Sequence, residues 1–140
     1  MKDSECRKIL YDRVKSADAK AAFDLLEDGL AKSGIPVNYE CQNIVKAVTF
    51  REGRWYQFSF IPSQTDLLFY IRRPALNLLK ELHERAVKEH PDRVNVRLSG
   101  EHAPNATRET KIRIASPREA ARLLNWLVPL VPGLRSGAKI

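Results

Sequence analysis

Between Arg54 and Ile61 the chain alternates. Tyr56, Phe58 and Phe60 are separated by Gln57 and Ser59, the period of two expected of a strand with one apolar face. An apolar run at Ile44–Phe50 precedes this stretch and another at Leu67–Arg73 follows it. The turns between them are Arg51-Glu52-Gly53-Arg54 and Pro62–Asp66. Connections this short predict a three-stranded antiparallel meander. The alternation assigns Tyr56, Phe58 and Phe60 to the core, and it places Trp55 on the polar face with Gln57 and Ser59, accessible to a partner. Two later segments alternate as well. Arg93–Ser99 sets Val94, Val96 and Leu98 against Arg93, Asn95 and Arg97, and Lys111–Ala115 sets Ile112 and Ile114 against Lys111 and Arg113. Together they predict a hairpin with a basic outer face.

Elsewhere the apolar positions recur every three or four residues, as on a helix with one buried stripe. From Ser4 to Lys32 the stripe is Cys6, Ile9, Leu10, Val14, Ala22, Phe23, Leu26 and Leu30. Ser16 is a candidate cap within it, so one long helix and two shorter ones both fit. Pro74 opens a second helical pattern that runs to His90-Pro91. Ser116-Pro117-Arg118-Glu119 reads as a capping box opening a third, with Ala120, Leu123, Leu124, Leu127 and Val128 inward and Pro129 ending it. Residues 130–140 are expected to fray. The predicted order is α(α)-β-β-β-α-β-β-α. It describes a two-layer α+β domain spanning residues 1–140, with a five-stranded, mostly antiparallel sheet and helices on one face.

An apolar fraction of 44% and a charged fraction of 29% exclude a disordered chain. No apolar run is long enough to span a membrane. The opening MKDSECRKIL is charged from its second residue and lacks a signal-like apolar stretch, so a cytoplasmic location is expected. Cys6 and Cys41 lie 35 positions apart without CxxC spacing, and in that compartment they read as two reduced, small apolar residues.

Charge changes the picture more. Residues 1–70 carry ten Lys/Arg and ten Asp/Glu, whereas residues 71–140 carry fourteen and seven. Ten of those fourteen are arginine, whose planar fork of donors suits phosphate and carboxylate oxygens. The whole net charge of +7 therefore lies in the second half.

Candidate chemistry is sparse. Pro91-Asp92 followed by Glu109-Thr110-Lys111 matches the Pro-Asp…Glu-x-Lys pattern of Mg²⁺-dependent nucleases, in which two carboxylates hold the metal and the lysine orients water. The polar flank Thr107-Arg108 and the helix running straight into Pro91 count against it. His83, His90 and His102 lack the spacing that brings two ligands onto one metal, and they read as ordinary histidines. There is no phosphate loop and no nucleophile elbow. No catalytic residue, cofactor or metal is therefore expected.

The segments RWYQFSFIPSQTDLLFYIRRPAL and KIRIASPREAARLLNWL resemble a small domain of unknown function, found alone or attached to restriction-type nucleases and predicted transport proteins. The similarity spans residues 43–128 and rests on element order and apolar pattern. It implies an accessory module and brings no functional residues with it. Set beside the charge, it leads to the expectation of a non-enzymatic binding module. Its basic C-terminal sheet face would engage a polyanion, nucleic acid or an acidic protein surface, through Arg93, Arg97, Lys111, Arg113, Arg118, Arg122 and Trp55. The alternatives are a structural module that dimerises through the sheet face around Trp55, and the nuclease.

Overall fold

The computed structural model describes residues 2–42, 44, 46–95 and 109–138. Two helices open the chain, α1 (Asp3–Asp12) and α2 (Ala17–Lys32). They are separate because Ser16 adopts an extended backbone and its Oγ accepts from Ala19 N–H at 3.2 Å. Strands β1 (Val37–Glu40), β2 (Ala47–Glu52), β3 (Trp55–Pro62) and β4 (Leu67–Ile71) follow, then α3 (Arg73–Leu78) and α4 (Leu82–Glu89). The chain ends with β5 (Thr110–Ile114), α5 (Pro117–Leu127), a 3₁₀ turn (Val128–Leu130) and α6 (Val131–Ala138). The five strands form one antiparallel sheet in chain order, β1-β2-β3-β4-β5, so the class is α+β.

The register explains the core. Tyr39, Val48, Phe60, Phe69 and Ile112 stand in one row across the sheet, and Val37, Phe50, Phe58, Ile71 and Thr110 in the next. Every helix adds buried side chains to the cluster these rows begin, among them Leu10, Leu26, Ala75, Leu82, Leu123 and Leu134. Phe23 of α2 meets Phe60 edge-on, with centroids 5.0 Å apart. The helices thus share one face. The other face carries the row Asn38, Thr49, Ser59, Tyr70 and Lys111.

The five strands are not the five expected. The four-residue β1 was missed, and the expected strand at Ile44–Phe50 runs from Ala47 to Glu52 instead. Of the expected strand Arg93–Ser99, Val94 makes a single bridge to Ile112. The rest of that strand, Arg97 included, lies outside the described residues. The helix expected from Pro74 to His90 is broken between α3 and α4, where Leu79 takes extended angles. The expected frayed tail is helical through Ala138, and Val131 and Leu134 are buried in the core.

One irregularity reverses an orientation. Phe50 pairs with Phe58 but Arg51 pairs with Tyr56, which leaves Gln57 as the extra residue of a β-bulge. Past the bulge the two faces exchange. Trp55, expected outward, packs edge-on against Phe58 and donates from Nε1 to the Leu134 carbonyl of α6 at 3.4 Å. Tyr56, expected in the core, lies on the other face. There the Arg72 guanidinium sits 3.8 Å from its ring centroid and the Arg51 guanidinium 5.8 Å from it.

Cys6 and Cys41 were expected as free thiols, but the fold joins them in a disulfide with Cα atoms 5.7 Å apart, near the commonest separation for such a bond. The bridge ties α1 to the segment that leaves β1. Closing a 35-residue separation lowers the entropy of the unfolded chain, and the chain-entropy estimate for that length is about 3–4 kcal/mol. Reduction with dithiothreitol should therefore lower the unfolding free energy in urea by about this amount. A Cys6→Ala, Cys41→Ala chain should be indifferent to reductant. A wild-type transition unmoved by reduction would show that the sulfurs are not bonded.

Candidate anion-binding site

The expected site residues divide between two faces. Lys111 and Arg113 leave β5 on the face away from the helices. Lys111 is buried there, with Nζ 5.4 Å from the Tyr70 ring centroid. Arg113 is ion-paired with Asp66, whose carboxylate is buried and also accepts from Ser63 Oγ at 2.5 Å. On the same face Arg72 pairs with Glu109 at 3.4 Å. These cations have internal partners. Trp55 is turned into the core, as described above.

The same placements separate the Pro-Asp…Glu-x-Lys residues. Asp92 is an exposed turn residue with φ of 63°, a left-handed conformation that aspartate tolerates. Glu109 is held by Arg72, and Lys111 is buried against Tyr70. Among the described residues no three His, Cys, Asp or Glu side chains gather as metal ligands.

Arg93, Arg118 and Arg122 do converge. The turn at Asp92 directs the chain so that Arg93 N–H reaches back to the His90 carbonyl. The segment then fastens to the edge of β5 through Asn95 N–H to Lys111 O at 2.6 Å and Arg113 N–H to Arg93 O at 2.9 Å. From there the Arg93 side chain reaches the first turn of α5, where Nε meets Glu119 at 2.9 Å. Arg118 occupies that first turn, and Arg122 lies one turn further along the same side. Together with Glu89, His90, Pro91 and Glu119 they line a cleft of about 230 Å³.

The two carboxylates of the cleft are already engaged. Glu119 completes the capping box: its N–H donates to Ser116 Oγ at 3.2 Å, and its Oε1 accepts from Ala115 N–H at 2.9 Å. Its Oε2 holds Arg93. Glu89 accepts from Arg85 at 3.0 Å and pairs with Arg122 at 3.8 Å. Arg118, exposed, has no ion-pair partner among the described residues.

His90 was read as an ordinary histidine, yet it is the most informative residue of the cleft. It is buried, and its Nε2 accepts a hydrogen bond from Trp126 Nε1–H at 2.9 Å. An indole nitrogen can only donate, so neutral His90 carries its proton on Nδ1. Burial, and after it the Arg122 guanidinium, hold His90 below its ordinary value of 6.5; the carboxylates of Glu119 and Glu89 oppose this only in part. A histidine at a helix end before proline gives no sign of this role, and Trp126 lies 36 positions away.

Comparison with protein-family models, with curated proteins and with solved structures found no match to this chain.

The depressed histidine has a consequence for stability. The unfolded chain takes up a proton near the ordinary value of 6.5, whereas folded His90 resists protonation until lower pH. Its contribution is complete above that value and is lost as pH falls from there toward the folded value. Protonation would also place a second N–H against that of Trp126. Thermal melts at pH 7 and pH 5 should therefore show a loss of stability in the wild type that is smaller in His90→Gln. Equal losses in the two proteins would remove His90 as the cause.

Proposed function

We propose that this chain is a non-enzymatic binding module that engages a polyanion, with nucleic acid as the partner. The surface carrying the interaction is the one around the start of α5, in place of the sheet face that alternation suggested. The observation behind this reading is the gathering of Arg93, Arg118 and Arg122, from two separated stretches of chain, around one cleft. Arginines arranged in this way contact phosphates through charge-assisted, often bidentate hydrogen bonds. Backbone contacts of that kind carry affinity without reading base identity. The sheet-face cations are less suited to the task, because Arg113, Arg72 and Lys111 have partners of their own. Self-association through Trp55 loses its support, since that side chain packs against Phe58 and Leu134.

No helix among the described residues is long and apolar enough to cross a membrane. A cytoplasmic setting is part of the proposal, and it carries a consequence. In reducing surroundings Cys6 and Cys41 would be held as a thiol pair, whereas an oxidising compartment would preserve the bond.

Three phosphate contacts on duplex DNA should give a log–log salt slope of roughly −3, by counterion release. Replacing Arg118 and Arg122 together by alanine should flatten that slope by about two units, with little dependence on DNA sequence. The control is Lys2→Ala with Lys20→Ala, which removes the same charge from the other half of the chain. If both pairs weaken binding equally, the effect is bulk charge and the claim of a site fails. Binding to an acidic protein with none to DNA would also refute the choice of nucleic acid.

A further inference from the structure

The donors around the cleft form a more specific arrangement than a polyanion surface requires. In the first turn of α5, Pro117 has no N–H, Glu119 N–H is used by Ser116 Oγ and Ala120 N–H by the Ser116 carbonyl. The N–H of Arg118 is left without a hydrogen bond among the described residues. A free N–H at the positive end of an 11-residue helix attracts anions. His90 supplies a second, independent indication. The residue is only 3% exposed. With Nε2 accepting from Trp126, the Nδ1–H has no partner among the described residues, and the ring lines the cleft. The acceptors nearby are spoken for: Glu119 by the cap and Arg93, Glu89 by Arg85 and Arg122. With Arg85 included, four guanidiniums surround two carboxylates. These donors suit a small anion rich in acceptors.

We propose that this cleft holds a single phosphate monoester, bound by the Arg118 backbone N–H, His90 Nδ1–H and the guanidiniums of Arg118, Arg122 and Arg93. The idea shares its arginines with the polyanion reading and rests on it for the choice of a nucleic-acid terminus as the larger ligand. A terminal monoester is a dianion with three free oxygens, and it matches convergent donors better than the diester of a continuous backbone, which offers two. The cleft at about 230 Å³ is of a size for one such group.

The two tryptophans provide the readout. The indole N–H of Trp126 is bonded to His90, while that of Trp55 lies against the α6 carbonyl of Leu134. In ¹H–¹⁵N spectra of the full chain at pH 7.5, inorganic phosphate should shift the Trp126 indole peak saturably and leave the Trp55 peak in place. Chloride at matched ionic strength should do neither. Arg118→Ala removes an exposed side chain, so the fold survives, and it should weaken phosphate binding by about tenfold or more. A 5′-phosphorylated single-stranded oligonucleotide should bind at least about tenfold tighter than its 5′-hydroxyl twin. A response to inorganic phosphate with no such gain keeps the monoester site and assigns it to small phosphates. No saturable Trp126 shift with either phosphate source overturns the proposal, and so does an unchanged affinity in Arg118→Ala. Failure of the polyanion reading has its own signature, a near-zero salt slope for the 5′-hydroxyl oligonucleotide alongside an intact Trp126 response.

Discussion

The cleft depends on how closely α5 packs against α2. Gly29 lies in the last turn of α2, and glycine costs a helix up to about 1 kcal/mol relative to alanine. A Cβ at Gly29 would stand 2.6 Å from Leu124 Cδ1 and 2.8 Å from Cδ2. Its absence lets α5 close on α2, so that Ala120, Leu123 and Leu127 are buried in the shared core. α5 also carries two parts of the cleft. Ser116 and Glu119 cap its start beside Arg93, and three turns later Trp126 reaches His90. The cleft is therefore a product of helix packing and of the turn at Asp92, which brings Arg93 beside the start of α5.

The opposite edge of the sheet is secured by different means. Arg7 of α1 makes a two-pronged contact with Glu27 of α2, which also accepts from Tyr39 of β1 at 2.5 Å. Burial and Glu27 together push the Tyr39 hydroxyl above its ordinary range, so it stays a donor. Partly exposed ion pairs contribute up to about 1 kcal/mol each. The Cys6–Cys41 bridge joins the same two elements, α1 and the end of β1. Where the bond is formed its effect on global stability outweighs that of the polar network, and where it is reduced α1 is held by that network and by buried Cys6 and Leu10.

Much of this was legible in the residue order, for physical reasons that can be named. Alternation in Lys111–Ala115 placed Ile112 and Ile114 inward because a strand has a fixed period, and both are fully buried. The caps at Ser16 and Ser116 were legible because capping chemistry is local. The failures share a cause. A period of two carries no record of a phase slip, so the bulge at Gln57 exchanged Trp55 and Tyr56 unseen. The closing of Cys6 on Cys41 depends on how α1 docks against β1, which no local pattern encodes. The cleft was half visible: Arg118 and Arg122 share a helix side by spacing alone, but Arg93 joins them only through the left-handed turn at Asp92. His90 was invisible because its role comes from a partner on another helix.

The two groups of basic residues carry different obligations, and their partners reveal which. On the sheet face, Asp66 and Glu109 neutralise Arg113 and Arg72, and Lys111 is buried over Tyr70. Releasing such a cation to an outside anion would leave a carboxylate or a buried site uncompensated, which costs several kcal/mol in a buried setting. Those charges therefore belong to the fold. Around the cleft, Glu119 is retained by the α5 cap even if Arg93 turns away, and Glu89 keeps Arg85 if Arg122 does. Both carboxylates keep a hydrogen-bond partner and remain partly open to water, so either arginine can turn toward a ligand. Arg118 has no ion pair among the described residues to give up. The carboxylates of the cleft orient the arginines and stay partly exposed, whereas Asp66 is buried, so an outside anion displaces the first kind of pair at less cost than the second.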